Sequence, residues 1–131
     1  MQNNIFSSDR PFQVWGYLVS HDQLLLRSPI IKGYEKNIDI IFFGVTYLQI
    51  DTDLSGLTIQ KVDPADAEIV HNSVKQSLIY DGNNLFEILS NDEGYLIVAG
   101  FVRVFENDLE FGESSLGFTE LGREIEIARI S

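Results

Sequence analysis

The sequence contains no cysteine in its 131 residues. This excludes disulfide bonds, thiolate metal sites, iron–sulfur clusters and a cysteine nucleophile. Long apolar runs are also missing, because the longest one, at 38–50, contains Asp39 and falls short of the roughly 18 residues that a spanning helix needs. Residues 1–12 show no basic region followed by an apolar stretch. We therefore expect a cytoplasmic protein with no membrane association.

Phosphate-binding and metal-binding signatures are lacking too. Neither G-x-G-x-x-G nor G-x-x-x-x-G-K-[ST] occurs, which removes the usual marks of dinucleotide and P-loop sites. The two histidines, His21 and His71, are far apart in sequence, so a zinc site would depend on carboxylates. We expect no cofactor and no bound metal.

Basic residues are scarce, and their distribution is uneven. The chain has 9 Lys and Arg against 20 Asp and Glu, a formal net charge of −11. Residues 1–50 hold four acidic and four basic residues, so the whole excess lies in 51–131. Such a field repels nucleic-acid backbones and attracts basic proteins. We expect no nucleic-acid binding and favour a basic protein partner.

What is present favours one folded domain over residues 1–131. Hydrophobic residues make up 44% of the chain, including 9 Phe and 5 Tyr, which is enough for a core without covalent staples. Apolar and β-branched runs predict strands at 12–20, 23–29, 38–50, 57–62, 85–90 and 94–106. The alternation of residues 123–130 favours another strand, but Leu121, Ile125 and Ala128 would also suit a short helix. Short polar turns between them predict hairpins, and Gly44 inside the third run predicts a bend.

One segment has the marks of a helix. Asp63 is a favourable N-cap and Pro64 suits the first helical position. A single apolar stripe then follows at Ala67, Val70, Val74 and Leu78. The sequence predicts an α+β fold: a mainly antiparallel, curved sheet or partly open barrel of about six or seven strands, with one amphipathic helix at about 64–78.

The stretch DTDLSG, residues 51–56, begins like a calcium-binding loop. Asp51, Asp53 and Ser55 occupy its first, third and fifth positions, and Gly56 its sixth. The twelfth position, where calcium needs a carboxylate, is Val62. We therefore interpret the stretch as a turn between strands, in which Gly56 adopts a positive φ.

The densest group of carboxylates follows the last long apolar run. If residues 104–111 continue a strand, Glu106, Asp108 and Glu110 stand in a row on one face, about 6–7 Å apart. Glu113 comes shortly afterwards. Like charges in a row are costly unless they are solvated, bound to a cation or matched by a basic partner.

Our first hypothesis is a non-enzymatic interaction protein that binds a basic partner through Glu106, Asp108, Glu110 and Glu113. The chain is small, acidic and free of cysteine, and in these properties it resembles immunity proteins that neutralise basic toxins. We therefore expect an inhibitor or immunity-type protein that binds a basic protein. This likeness rests on no shared motif and assigns no site residue.

Two other functions stay open. A small ligand could bind in a β-barrel or cup lined by Trp15, Tyr17 and Tyr47, although such aromatic residues are more often plain core. The carboxylates could also serve a metal-dependent hydrolase, for which their number is the main argument. Pairing of two copies through a sheet edge would give a homodimer.

Overall fold

The computed structural model describes residues 5–30, 33–66, 72–79, 82–110, 112–116 and 124–131. These residues form one antiparallel sheet, and the α+β, antiparallel class is confirmed. The described strands number nine, more than the six or seven predicted: β1 Ile5–Leu18, β2 Gln23–Ser28, β3 Asn37–Phe43, β4 Tyr47–Leu48, β5 Asp53–Val62, β6 Asn84–Ser90, β7 Glu93–Ala99, β8 Phe101–Asn107 and β9 Glu124–Ile130.

The strand order shows that the sheet curls strongly. Neighbouring strands run β4-β7-β6-β5-β1-β2-β3-β8-β9, so β4 lies at one end although it directly follows β3 in the chain. Three strands separate β3 from β6 in this order, yet Phe42 and Phe86 meet edge to face with ring centroids 6.1 Å apart. The concave face of the sheet therefore encloses its own core.

Two glycines explain why there are more strands than predicted. Gly44, with φ +69°, ends β3, and Gly100 separates β7 from β8. The Gly100 N–H donates to the Phe43 carbonyl at 2.8 Å, so the two breaks face each other. From the pair Phe43–Phe101 to the pair Tyr47–Val98, the β3–β4 connection has one residue more than the β7–β8 connection. The register of pairing therefore changes by one residue at this point. The bend expected at Gly44 is confirmed, whereas 38–50 and 94–106 are each divided into two strands.

The central strands β2 and β3 bury both of their faces. Leu24 and Leu26 point into the main core, whereas Leu25 belongs to a second cluster on the convex face. That second cluster also contains Ile41 and Phe105. A strand covered on both sides has no reason to alternate apolar and polar residues, which explains the near-continuous apolar runs in these segments.

The predicted helix at 64–78 is only partly present in the described residues. Pro64–Asp66 forms a 3-10 turn, with Asp63 Oδ1 accepting the Ala65 N–H at 2.9 Å, and the α-helix α1 spans Asn72–Ser77. Val74 of α1 is fully buried against β6 and β7. Residues 67–71, and with them Ala67, Val70 and His71, lie outside the described residues. In the part of the chain described, no helix is long and apolar enough to cross a bilayer.

The DTDLSG stretch is strand for most of its length. β5 already begins at Asp53, so the turn interpretation was wrong for residues 53–56. Gly56 does adopt a positive φ of +76°, as expected. It lies beside an irregularity in the β1–β5 pairing between Ser8 and Pro11, where β1 carries one extra residue. The glycine thus belongs to a bulged strand pair.

Removing the Phe86 ring should destabilise the curl of the sheet, because Phe86 is fully buried and contacts Phe42 from the opposite wall. We expect Phe86→Ala to lower the free energy of unfolding by about 3–5 kcal/mol, measured by urea denaturation. The control is Leu89→Ala in the same strand, whose side chain is 41% exposed and should cost no more than about 0.5 kcal/mol. Equal losses in the two variants would contradict the proposed packing across the sheet.

Candidate functional site

The predicted row of carboxylates is not a strand face. β8 ends at Asn107, and the chain then leaves the sheet, so Asp108 and Glu110 do not follow Glu106 along one strand. Asp108 and Glu110 are exposed, whereas Glu106 and Glu113 are partly buried. Residues 108–110 and 112–116, called the strap below, lie against the convex face of the sheet. The strap carries three of the four predicted partner-binding residues.

Beneath the strap lies a fully buried ion pair. Arg27 on β2 and Asp39 on β3 are 1% and 0% exposed, and they face each other in register across the two strands. Arg27 Nε donates to Asp39 Oδ1 at 2.6 Å, and Nη2 donates to Oδ2 at 2.9 Å. This is a bidentate contact, in which two hydrogen bonds join the guanidinium to the carboxylate, and it is the strongest form of an arginine–carboxylate interaction.

The ion pair binds the strap directly. Arg27 Nη1 donates to the backbone carbonyl of Glu113 at 2.7 Å. The Ser115 hydroxyl donates to Asp39 Oδ2 at 2.7 Å, and Asn107 Nδ2 donates to the same oxygen at 2.8 Å. Both members of the ion pair therefore have hydrogen-bond partners in the strap, and Asn107 at the end of β8 adds one from the sheet.

Asn37 extends the same network to the start of the strap. Its Nδ2 donates to Asn107 Oδ1 and to the carbonyl of Leu109, each at 2.8 Å. Its own Oδ1 accepts the Ile30 N–H at 2.7 Å. Leu109 is almost completely buried, so the strap is anchored by an apolar side chain as well as by backbone contacts.

An aromatic side chain covers the open flank of the pair. Trp15 of β1 lies with its ring 5.3 Å from the Arg27 guanidinium carbon, a cation–π distance. Trp15 and Leu116 of the strap also pack on the second apolar cluster. Charge, aromatic ring and apolar contacts thus all fix one strap conformation.

Sequence reasoning missed this network. In the sequence, Arg27 is one of the balanced charges in residues 1–50, and Asp39 is in addition the charge that interrupts the apolar run 38–50. Their signal is visible in hindsight: each is a charged residue inside an apolar strand, in QLLLRS and NIDIIFF. A buried charged side chain needs a partner of opposite charge. One of these two adjacent strands carries a basic residue and the other an acidic one.

Glu106 interacts electrostatically with a second buried base, Arg10. Arg10 of β1 donates from Nε to Ser28 Oγ at 2.9 Å and from Nη2 to the Lys36 carbonyl at 2.8 Å. Its guanidinium lies 4.1 Å from the centre of the Tyr34 ring. Burial lowers the pKa of Arg10, while electrostatic interactions with Tyr34 and Glu106 oppose that shift.

Glu126 is also neutralised within the chain. It accepts from Arg103 at 2.6 Å and from Arg129 at 3.2 Å. The hydrogen bond from Arg103 is the main reason why the pKa of Glu126 lies below its ordinary value, against the opposing effect of burial. Glu120 lies outside the described residues. Among the described residues that follow the strap, Glu126 is therefore matched by two basic side chains of the same chain.

The carboxylates of the DTDLSG stretch contact side chains of the sheet. The Tyr95 hydroxyl lies 2.8 Å from Asp51 Oδ2 and 3.1 Å from Glu93 Oε2. The hydrogen bond to Asp51, together with burial, raises the pKa of Tyr95. Asp53 instead accepts from Gln13 at 2.8 Å. No group of three His, Cys, Asp or Glu suited to a metal ion occurs among the described residues.

The three aromatic residues predicted to line a ligand cavity lie in separate surroundings. Trp15 packs on the convex face, Tyr47 packs on the cluster around Val74, and Tyr17 is 38% exposed. The Tyr17 hydroxyl lies 3.4 Å from Asp22, and burial with this carboxylate raises the pKa of Tyr17. The structure does not bring the three rings together, and the interior of the curled sheet is filled by apolar side chains.

Comparison with known proteins adds no assignment. No protein-family model matches the chain, and no curated protein and no solved structure is significantly similar to it. The site must therefore be interpreted from its own geometry.

Breaking the buried pair on one side should be costly. We expect Asp39→Leu to lower the free energy of unfolding by about 3–5 kcal/mol, because it leaves the Arg27 charge buried and unpaired. The double variant Arg27→Met/Asp39→Leu removes both charges and should be more stable than Asp39→Leu. Urea denaturation of the two variants makes the comparison, and a double variant less stable than Asp39→Leu would contradict the role of the pair.

Proposed function

We propose that this protein is a non-enzymatic interaction module that binds a basic protein partner through its strap. The observation that carries the proposal is the anchoring of the strap from beneath. Leu109, Glu113 and Ser115 are each held by a buried side chain of the ion-pair network. Glu110 lies between the Leu109 and Glu113 anchors, and Asp108 directly precedes Leu109; both carboxylates are exposed.

The anchoring favours binding because it reduces the entropy lost on association. A loop that already has its bound conformation loses less freedom than a mobile one when a partner arrives. The Glu113 carboxylate adds to this order, since it accepts the Glu110 N–H at 2.8 Å. The strap therefore presents acidic groups on a fixed backbone.

The charge of the whole chain supports the same conclusion. A net charge of −11 increases the encounter rate with a basic protein and disfavours acidic competitors. Asp108 and Glu110 are best placed to contact the partner, with Glu113 beside them. Glu106, next to Arg10, would contribute mainly to the field. An inhibitor or immunity-type protein that neutralises a basic protein is the class of function that fits.

Neutralising the exposed strap carboxylates should slow association. Proteins retained from a cell extract by the immobilised chain are first identified, and the binding kinetics of the basic ones are then measured. We expect Asp108→Asn/Glu110→Gln to reduce the association rate constant roughly fivefold at low salt and to weaken its salt dependence. Dissociation should change less, because exposed charges act mainly on encounter.

A matched control separates the strap from net charge alone. Asp22→Asn/Glu35→Gln makes the same change of charge at two exposed positions outside the strap, and asparagine tolerates the left-handed conformation of residue 22. This control should slow association by less than about twofold. Equal effects of the two double variants, or none from the strap variant, would refute binding through the strap.

A further inference from the structure

Three adjoining hollows run along the pair of strands β1 and β5. The central one, of about 400 Å³, is lined by Phe12 and Leu54, with Pro11 and Pro29 beside them. A larger, shallower one of about 630 Å³ continues from it past Ser8 and Ser90, and the two share Ser55 and Asn91.

The third hollow joins this surface to the strap. It has a volume of about 450 Å³ and shares Gln13 and Asp53 with the central hollow. Trp15 and Gly112 line its far end, and Gly112 belongs to the strap. The three hollows together are called the groove below.

The dimensions of the groove suit an extended peptide. Its lining follows β1 from Ser7 to Trp15, which is about 26 Å at the rise of a β-strand. An extended segment of about eight residues has that length. The extra residue of β1 opposite Gly56 lies under the groove, and such bulges reshape the surface of a strand pair.

The chemistry of the groove selects for a cation. Its described lining residues include the carboxylates of Asp9 and Asp53 and contain no Lys or Arg. The remaining polar groups are mostly neutral hydroxyls and amides, which accept hydrogen bonds from backbone or ammonium groups. Apolar surface in the central hollow comes from Pro11 and Pro29, because the side chains of Phe12 and Leu54 are buried in the core. Lysine and arginine side chains, with apolar stems and charged ends, match both features.

We propose that the groove binds an extended basic segment of a protein partner, about eight residues long, which enters beside the strap and ends near Asp9. The inference rests on the proposed function and deepens it: the strap attracts the basic partner, and the groove holds one defined part of it. Basic side chains of the segment pair with Asp53 and Asp9, while small apolar side chains between them fill the central hollow.

The probe is a synthetic octapeptide, acetyl-(Lys-Lys-Val-Val)2-amide, titrated into the full ¹⁵N-labelled chain. When this peptide is extended, lysine and valine alternate on each of its faces. We expect the amide signals that shift to be those of residues 7–15, 52–58 and 89–91. The matched peptide acetyl-(Glu-Glu-Val-Val)2-amide should cause no shifts, because the same length and apolar content then carry the opposite charge. The absence of shifts with the lysine peptide would overturn the inference.

A variant tests whether the central hollow is used. Ser55→Arg places bulk and positive charge in it, and we expect the peptide dissociation constant to rise at least about tenfold. Gln76→Arg makes the same charge change at an exposed position of α1 and should alter it by less than about twofold. Unchanged signals elsewhere in the spectrum show that each variant is folded. Equal effects of both variants would also overturn the inference.

The same titration distinguishes the groove from the strap. Shifts confined to 108–116 would refute the groove and leave the proposed function intact. Shifts along the groove that persist unchanged in Asp108→Asn/Glu110→Gln would support the groove and count against the strap. Shifts in both regions, with weaker groove binding in that double variant, would support both proposals.

Discussion

The buried pair of Arg27 and Asp39 is the interaction on which the convex face depends. Two charges removed from water cost several kcal/mol each, and their attraction offsets that cost only when every remaining hydrogen-bonding group has a partner. Here the partners come from the strap as well as the sheet: the Glu113 carbonyl, the Ser115 hydroxyl and Asn107. The strap is thus required for the burial of the pair, and the pair in turn fixes the strap.

Apolar side chains under the strap would be buried at a lower desolvation cost than two charges. The presence of the charged pair there therefore needs an explanation. Apolar contacts are nearly indifferent to a sliding motion, whereas hydrogen bonds to named atoms define one register. Our hypothesis is that the ion pair specifies the path of residues 108–110 and 112–115. The exposed carboxylates of Asp108 and Glu110 on that path would then keep fixed positions, a property that favours recognition of a basic surface.

Sequence patterns predicted the individual strands and turns better than they predicted how the strands assemble into the sheet. The hairpin of β1 and β2, the bend at Gly44 and the strand at 124–130 follow from local apolar patterns and turn residues. The division into nine strands did not, because Gly44 and Gly100 face each other only after the sheet has curled. The candidate site was harder still. Asp108, Glu110 and Glu113 were found as a cluster, but their support from Arg27 and Asp39 joins residues more than 70 positions apart.

The prediction of a row of carboxylates on one strand face was wrong for a related reason. The alternation of residues 104–111 suits a strand, but Asn107 and Leu109 are both buried in the network that turns the chain away. Asn107 accepts the Leu109 N–H at 3.2 Å, a local side-chain contact that replaces a strand hydrogen bond. The strand therefore ends where the buried polar network needs an amide. As a result, Asp108, Glu110 and Glu113 lie in the strap and not in the sheet, and the strap contacts the ion pair through the Glu113 carbonyl.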